Sequence, residues 1–217
     1  MTTEEQRLKI RKDMLGKRGQ LSESELHLAG DRLAERIEEN SEAWGNTTDK
    51  PIVIAGYLAL GGEISLDASM NRLRQQGMLT CVPVIEGDKM RFAQLTNDTT
   101  LVAGKYGIKI PEYKASELLD ATELNIILAP LVAFDNSGNR IGMGGGYYDR
   151  TFAHLHPDNA NDNSIGKTTA SQLQKLIGVA HDFQYLQQVP VESWDVPLTM
   201  ALTDHSTYLF AAGEKSP

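Results

Sequence analysis

The sequence predicts an α/β fold, a three-layer α/β/α arrangement with a mostly parallel central sheet and a small antiparallel excursion. Three observations carry this expectation. Residues 52–58 (IVIAGYL), 80–85 (TCVPVI), 124–129 (LNIILA) and 175–180 (KLIGVA) are short apolar runs bearing β-branched residues. Runs of that kind read as strands buried on both faces. Helical patterns fall between such runs, which argues for parallel strands joined by crossovers. Of the 217 residues, 41% are hydrophobic and 23% charged. A chain of this size buries roughly 70% of its unfolded surface without needing disulfides or metal, and its composition is that of a globular protein. A single domain spanning 1–217 is expected.

Two helices open the chain. The first is expected from Thr3 to Arg18. The second has an N-terminal signature: Ser22 as N-cap, Glu25 three residues later, and Leu21 and Leu26 as a hydrophobic staple. Leu26, Ala29, Leu33 and Ile37 then recur on one face. The polar run 40–50 reads as a linker. After the strand at 52–58 comes a helix at 66–76 and the strand at 80–85. The alternating segment 89–95 (KMRFAQL) forms a hairpin arm, with Gly87-Asp88 in the turn. The strand 124–129 leads into a turn rich in Asp, Asn, Ser and Gly at 135–140. A helix is expected to run on to about His154, followed by a polar surface loop at 158–171. The strands 175–180 and 199–203 close the fold.

Charge and cysteine content exclude several function classes. Twenty-one basic against 29 acidic residues give a net charge of −8, which argues against a general nucleic-acid binder. The one cysteine, Cys81, has no intramolecular disulfide partner and cannot form half of a CxxC zinc site. It reads as a buried small hydrophobe in a reducing compartment. The opening MTTEEQRLKIRK lacks the apolar core of a signal peptide. The most apolar stretch, 126–134, is too short to span a bilayer. A cytoplasmic protein with no membrane partner is expected.

The segment with most chemical content is RIGMGGGYYDR, Arg140 to Arg150. Gly142, Gly144, Gly145 and Gly146 lie in five residues, after a strand and turn and before a helix. Glycines permit positive φ and close approach of a ligand to the main chain. Free amides at a helix start favour an anion, so the segment suggests a phosphate cradle. It matches neither G-x-x-x-x-G-K-[ST] nor G-x-G-x-x-G in its usual setting. A bare glycine cluster more often marks only a tight turn. Tyr147 and Tyr148 add rings that stack and hydroxyls that hydrogen-bond. Asp149 can hold a Mg²⁺ that bridges phosphates, or merely complement the helix dipole.

The block GNRIGMGGGYYDR (138–150) resembles the signature of the 5-formyltetrahydrofolate cyclo-ligases, or methenyltetrahydrofolate synthetases. Further blocks resemble that family in its own order: Arg7 and Arg11 followed by LSE at 21–23, YLALGGE at 57–63, YGIKIP at 106–111, LAPLVAFD at 128–135 and VPVESWD at 189–195. The resemblance covers nearly the whole chain. It implies conversion of 5-formyltetrahydrofolate and ATP to 5,10-methenyltetrahydrofolate, ADP and phosphate, with Mg²⁺. The formyl oxygen would be phosphorylated and then displaced by N10, so catalysis would be largely positioning and charge neutralisation. The substrate can carry a polyglutamate tail, and a monomer is expected.

By the same resemblance, Arg7 and Arg11, four apart on one helix face, grip triphosphate oxygens. A solvated basic face shared with Lys9, Lys12, Lys17 and Arg18 is the alternative. Arg140 and the backbone through Gly142, Gly144, Gly145, Gly146, Tyr147 and Tyr148 match the nucleotide loop. Arg140 and Tyr148 are the catalytic candidates. Leu58, Glu63, Tyr106, Met143 and Tyr147 match folate-contacting positions, and Asp149 and Asp195 match the metal-associated acids. The chain departs from the family where Arg7 replaces the usual lysine and Trp194 a common histidine. Met143 and Gly145 stand where some relatives carry arginine and lysine.

Other constellations are weaker. His154 and His156 lack a third metal ligand and read as a surface pair. His181 reads as a hydrogen-bonded structural histidine. No serine sits in G-x-S-x-G. A non-catalytic folate- or nucleotide-binding regulator of the same fold is the alternative function, and a sugar-phosphate isomerase a weaker one, since fold does not fix function.

Overall fold

The computed structural model describes residues 1–41, 44, 51–104, 109–159 and 174–210. The chain order begins with α1 (Thr3–Arg18), α2 (Glu23–Ser41), β1 (Val53–Ala55), α3 (Asp67–Gln75), β2 (Leu79–Glu86) and β3 (Lys89–Gln94). It continues through β4 (Leu101–Ala103), β5 (Lys109–Pro111), β6 (Ile126–Pro130), β7 (Ala133–Phe134), β8 (Arg140–Ile141) and α4 (Tyr147–Thr151). The last strands are β9 (Lys175–Ala180), β10 (Met200–Thr203) and β11 (Thr207–Leu209). The expected capping box at α2 is present: Glu25 N–H donates to Ser22 Oγ at 3.3 Å, and Ser22 N–H to Glu25 Oε2 at 2.8 Å.

Among the described residues, seven strands form the main sheet in the order β11-β10-β9-β6-β1-β2-β3. The five inner strands are parallel. The antiparallel strands β3 and β11 lie at the two edges. The hairpin around Gly87 is the expected antiparallel excursion, added at one edge of the main sheet, and Gly87 takes φ 65° in its turn. The short pairs β4–β5 and β7–β8 lie outside the main sheet; the sequence pattern did not mark β4 or β11 as strands.

The apolar runs of β1, β6 and β9 split between two cores. Ile54, Ile126, Leu128, Ile177 and Val179 pack with Ala29, Leu33 and Ile37 of α2 and Met70 and Leu73 of α3. Ala55, Ile127, Ala129 and Leu176 face the other way, toward Leu131, Phe134, Phe152, Val196 and Leu198. The period-2 alternation of side chains thus places apolar residues on both faces, and no polar face survives to mark the strand in the sequence. The second face is covered by the short α4, the β7–β8 hairpin and loops, because the helix expected to reach His154 ends at Thr151 and gives way to a 3-10 turn at Ala153–Leu155. No described helix is long and apolar enough to cross a membrane.

Cys81 lies inside the second core, and burial pushes its thiol up to about 12. A thiolate-directed reagent at pH 8 is therefore expected to leave the native protein unlabelled and to react only after unfolding. Labelling at the rate of a free thiol would contradict this burial.

The topology positions the site. From β1 the chain first builds outward to β2, and later returns to the other side of β1 as β6. The strand order reverses there, which opens a crevice at the carboxyl ends of β1 and β6 where ligands of parallel sheets bind.

Candidate active site

The glycine-rich segment reaches this crevice through the β7–β8 hairpin. Asp135 holds the hairpin turn. Its Oδ1 accepts the N–H groups of Ser137 (2.9 Å) and Asn139 (3.1 Å), and its Oδ2 accepts Asn139 Nδ2 (3.0 Å) and Val189 N–H (3.1 Å). Four donors satisfy a carboxylate that is otherwise fully buried. Val132 N–H donates to Ile141 O at 2.7 Å, so Gly142 emerges beside the carboxyl end of β6.

Arg140, at the start of the return strand, is buried. Its guanidinium donates to Val196 O and, at 2.7 Å, to Asp149 Oδ1. The same Oδ1 accepts Val196 N–H at 3.1 Å. Asp149 is thereby brought next to the residue that follows Asp195, although 46 positions separate the two acids in the chain. In the bend, Gly144 (φ 99°) and Gly146 (φ 64°) occupy left-handed backbone. Arg150 is exposed but bonded. It donates to Gly145 O and Asp88 O, both at 2.8 Å, and its guanidinium carbon lies 5.0 Å from the Tyr147 ring centroid. A Cβ on Gly146 would sit 2.6 Å from Arg150 Nη1. Gly146→Ala is therefore expected to cost about 1–2 kcal/mol from the left-handed backbone alone, measured by urea unfolding. An unchanged midpoint would contradict the left-handed conformation.

Helix α1 supplies the opposite wall. Arg7, Arg11, Met14 and Arg18 follow a 4-3-4 spacing and share one face. That face is turned inward: Arg7, Met14 and Arg18 are buried, and Ile10 and Met14 pack with Val132, Ala133 and Ile141. Arg11 Nε donates to Gly142 O at 2.9 Å, and its guanidinium lies against Gly144. Arg7 Nη1 donates to Asp195 Oδ2 at 2.8 Å, while its buried Nε has no hydrogen-bond partner among the described residues. These arginines are turned toward Asp195 and the glycine bend and do not form a solvated basic face.

The turn after β1 forms the third wall. Glu63 Oε2 accepts Leu60 N–H at 3.0 Å, and Gly61 (φ 58°) and Gly62 (φ 77°) make the left-handed bend between them. Tyr57 hydroxyl donates to Ile64 O at 2.8 Å. Burial raises the Glu63 pKa above the ordinary carboxylate value, against the Leu60 hydrogen bond and the Arg18 charge, which lower it. Burial, and after it the nearby Glu63 charge, raises the Tyr148 phenol pKa. Glu63 and Tyr148 therefore belong to one electrostatic neighbourhood.

The structure brings Arg7, Arg11, Arg140, Gly142–Gly146, Tyr147, Tyr148, Asp149, Asp195 and Glu63 to this crevice region. Leu58 is half-buried on the same post-β1 segment, and Met143 is exposed on the bend. Tyr106 lies outside the described residues. His154 Nε2 pairs with Gln174 Oε1 at 2.6 Å, and no group of three metal-ligating side chains occurs among the described residues. His181 is buried and hydrogen-bonds Gly62 O at 2.9 Å, the structural part expected of it. Sequence reading missed Arg18 as a member of this face, although its position eleven residues after Arg7 is a usable signal. It also missed Asp135 as the anchor of the hairpin, which the DNSG turn composition could have suggested.

Known proteins provide an independent comparison. A similar solved structure is that of the Aquifex aeolicus 5,10-methenyltetrahydrofolate synthetase, with TM-score 0.74 and 24% identity over 97% of this chain and 96% of that one. That likeness concerns the fold. The chain is 35% identical to a 5-formyltetrahydrofolate cyclo-ligase of Haemophilus influenzae over 148 residues, 67% of this chain and 72% of the relative. It is 29% identical to the Escherichia coli 5-formyltetrahydrofolate cyclo-ligase over 153 residues, 69% and 76% of the two chains. The family model for 5-formyltetrahydrofolate cyclo-ligases matches residues 3–204, a span that takes in all three walls of the crevice, and the chain belongs to that family.

Proposed function

We propose that the chain catalyses the ATP-dependent conversion of 5-formyltetrahydrofolate to 5,10-methenyltetrahydrofolate, ADP and phosphate. The observation that carries this reading is the cluster around a side-chain-poor bend: Arg11 touches the bend, Arg140 pairs with Asp149, Arg7 pairs with Asp195, and an acid, Glu63, lies near Tyr148. Three guanidiniums and the amides of the bend suit a triphosphate. The unpartnered Nε of Arg7 is a donor in want of an acceptor, and a phosphate oxygen would supply one.

In the reaction the formyl oxygen attacks the γ-phosphorus and ADP leaves. N10 then attacks the activated carbon, phosphate departs, and N10 releases its proton. Phosphorylation turns a poor leaving group into a good one. The chain's task is to align the two substrates and neutralise charge at the phosphoryl group. Glu63 accepts from N–H donors of the pterin ring. Leu58, Tyr106, Met143 and Tyr147 contact the folate substrate, Tyr106 and Tyr147 through their rings. Tyr148, kept protonated by burial, donates its hydroxyl hydrogen to the formyl or phosphoryl oxygen.

Mg²⁺ is commonly held by one or two carboxylates together with substrate phosphates. Asp149 fits that description, since both its hydrogen bonds fall on one oxygen; Asp195, joined to it through Val196, would have to share with the ion the oxygens that now accept from Arg7 and Glu192 N–H. When bound there, Mg²⁺ would neutralise phosphate charge. A single domain over 1–217, acting as a monomer in the cytoplasm on a folate that can be polyglutamylated, completes the reading.

The test is turnover. Protein, 5-formyltetrahydrofolate, ATP and Mg²⁺ should generate the methenyl chromophore with one ADP per product, and omission of ATP should abolish the signal. Tight binding of folate and ATP without chromophore would replace the enzyme by a binding protein.

A further inference from the structure

We infer that Arg18 is a positioning residue for substrate recognition, holding Glu63 ionised and aimed into the crevice; this deepens the folate reading above and rests on it. Three features of the structure support the assignment. First, Arg18 stands at the last turn of α1, where a basic side chain ordinarily serves the helix dipole from the surface. Here it is only 3% exposed. Burying a guanidinium costs free energy unless its partners are well placed.

Second, its partners among the described residues belong to the turn that carries Glu63, while its buried Nη1 has none there. Arg18 Nε donates to Gly61 O at 3.1 Å. Its Nη2 donates to Gly61 O at 2.7 Å and Leu60 O at 2.9 Å, and lies 3.6 Å from Glu63 Oε1. Third, the turn is shaped around the arginine. Gly62 sits so close to the Arg18 backbone that a Cβ would lie 2.8 Å from Arg18 O. From the other side His181 Nε2 hydrogen-bonds Gly62 O.

The division of labour follows. Leu60 N–H fixes one oxygen of Glu63. Arg18 supplies positive charge near the other and locks the two carbonyls that precede it. Among the described residues, Arg18 is the one charge acting on Glu63. Burial lowers the His181 pKa, and burial keeps the Tyr57 and Tyr148 phenols protonated. Arg140 acts on Tyr148. Arg18 is the cation that opposes the effect of burial on Glu63.

Steady-state kinetics on Arg18→Lys and Arg18→Gln test the inference. Lysine keeps the charge but cannot reproduce the fork across Leu60 O and Gly61 O. It should raise KM for 5-formyltetrahydrofolate at least tenfold while KM for ATP stays within twofold. Glutamine should raise it further and move the acid limb of kcat/KM to higher pH, since the cation that favours ionised Glu63 is gone. In a Glu63→Gln background, Arg18→Lys should add less than twofold. Equal increases in both KM values, an unmoved acid limb in Arg18→Gln, or an undiminished effect in the Glu63→Gln background would overturn the assignment.

A substrate-free arm separates this inference from the enzymatic reading. In the full chain labelled with ¹³C-glutamate, Glu63 should titrate at higher pH in Arg18→Gln than in wild type, whatever the protein turns over. An identical titration overturns the inference even if the enzyme is active. Should neither Arg18 variant fold, the ¹⁵N guanidinium resonances of Arg18 in Glu63→Gln decide: a shift supports the pair, and unchanged resonances reject it.

Discussion

Arg140→Ala is expected to lower kcat/KM for ATP by about 10²–10³-fold, the scale on which removal of one preorganised charge-stabilising donor acts. It is also expected to cost about 3–5 kcal/mol of stability, because a buried charge pair is broken from one side. Both effects have one origin. Arg140 is buried between Val196 O and Asp149 Oδ1, so its loss leaves the Val196 carbonyl and the Asp149 carboxylate short of a donor. Asp149 would then meet the incoming triphosphate with its charge uncompensated. Urea unfolding and single-turnover kinetics separate the two losses. In Arg140→Ala/Asp149→Ala part of the stability should return, since no unpaired carboxylate remains, while activity should not. A stable, fully active Arg140→Ala would remove the arginine from the site.

Glu63→Gln is expected to reduce kcat/KM for 5-formyltetrahydrofolate by about 10²-fold and to leave KM for ATP nearly unchanged. Hydrogen bonds to a charged group contribute about 1.5–3 kcal/mol each, so weakening two of them reaches that factor. The pH profile gives the sharper reading. Only ionised Glu63 accepts from two ring donors, and burial has raised its pKa. Activity should therefore begin to fall on acidification while an unperturbed carboxylate, at about 4.3, would still be ionised. The alkaline side should be free of any Tyr148 step below about pH 10, since that phenol is shifted upward from its ordinary value. In Glu63→Gln the acid limb should vanish. If it persists unchanged, some other group governs it.

Much of the architecture is legible in the residues. α1 ends where the pattern places it, and the capping box at Ser22 and Glu25 forms as written. The strands at β2, β6 and β9 follow the apolar runs within two residues. Errors gather where local signals are weak. β1 is three residues long although the apolar run is seven, because Gly56 begins the departure toward Glu63 and the remaining apolar residues serve the core outside the ladder. β4 and β11 are exposed three-residue edge or hairpin strands, too short to develop an alternation. The fate of Arg150 was equally hidden, since its acceptors are the carbonyls of Gly145 and Asp88, and a carbonyl is the same in every residue.

By itself the sequence determined the α/β class, the order of elements, the glycine bend and the family resemblance, because periodicity, capping and motif spacing are properties of neighbouring residues. Only the tertiary structure decided that Arg7 meets Asp195, that Asp149 meets Val196, and that Arg18 turns inward to the Leu60–Glu63 turn. Those contacts join segments 42 to 188 positions apart. Their geometry is set by how helices pack on the sheet and where its strand order reverses, and no local pattern of side chains encodes that.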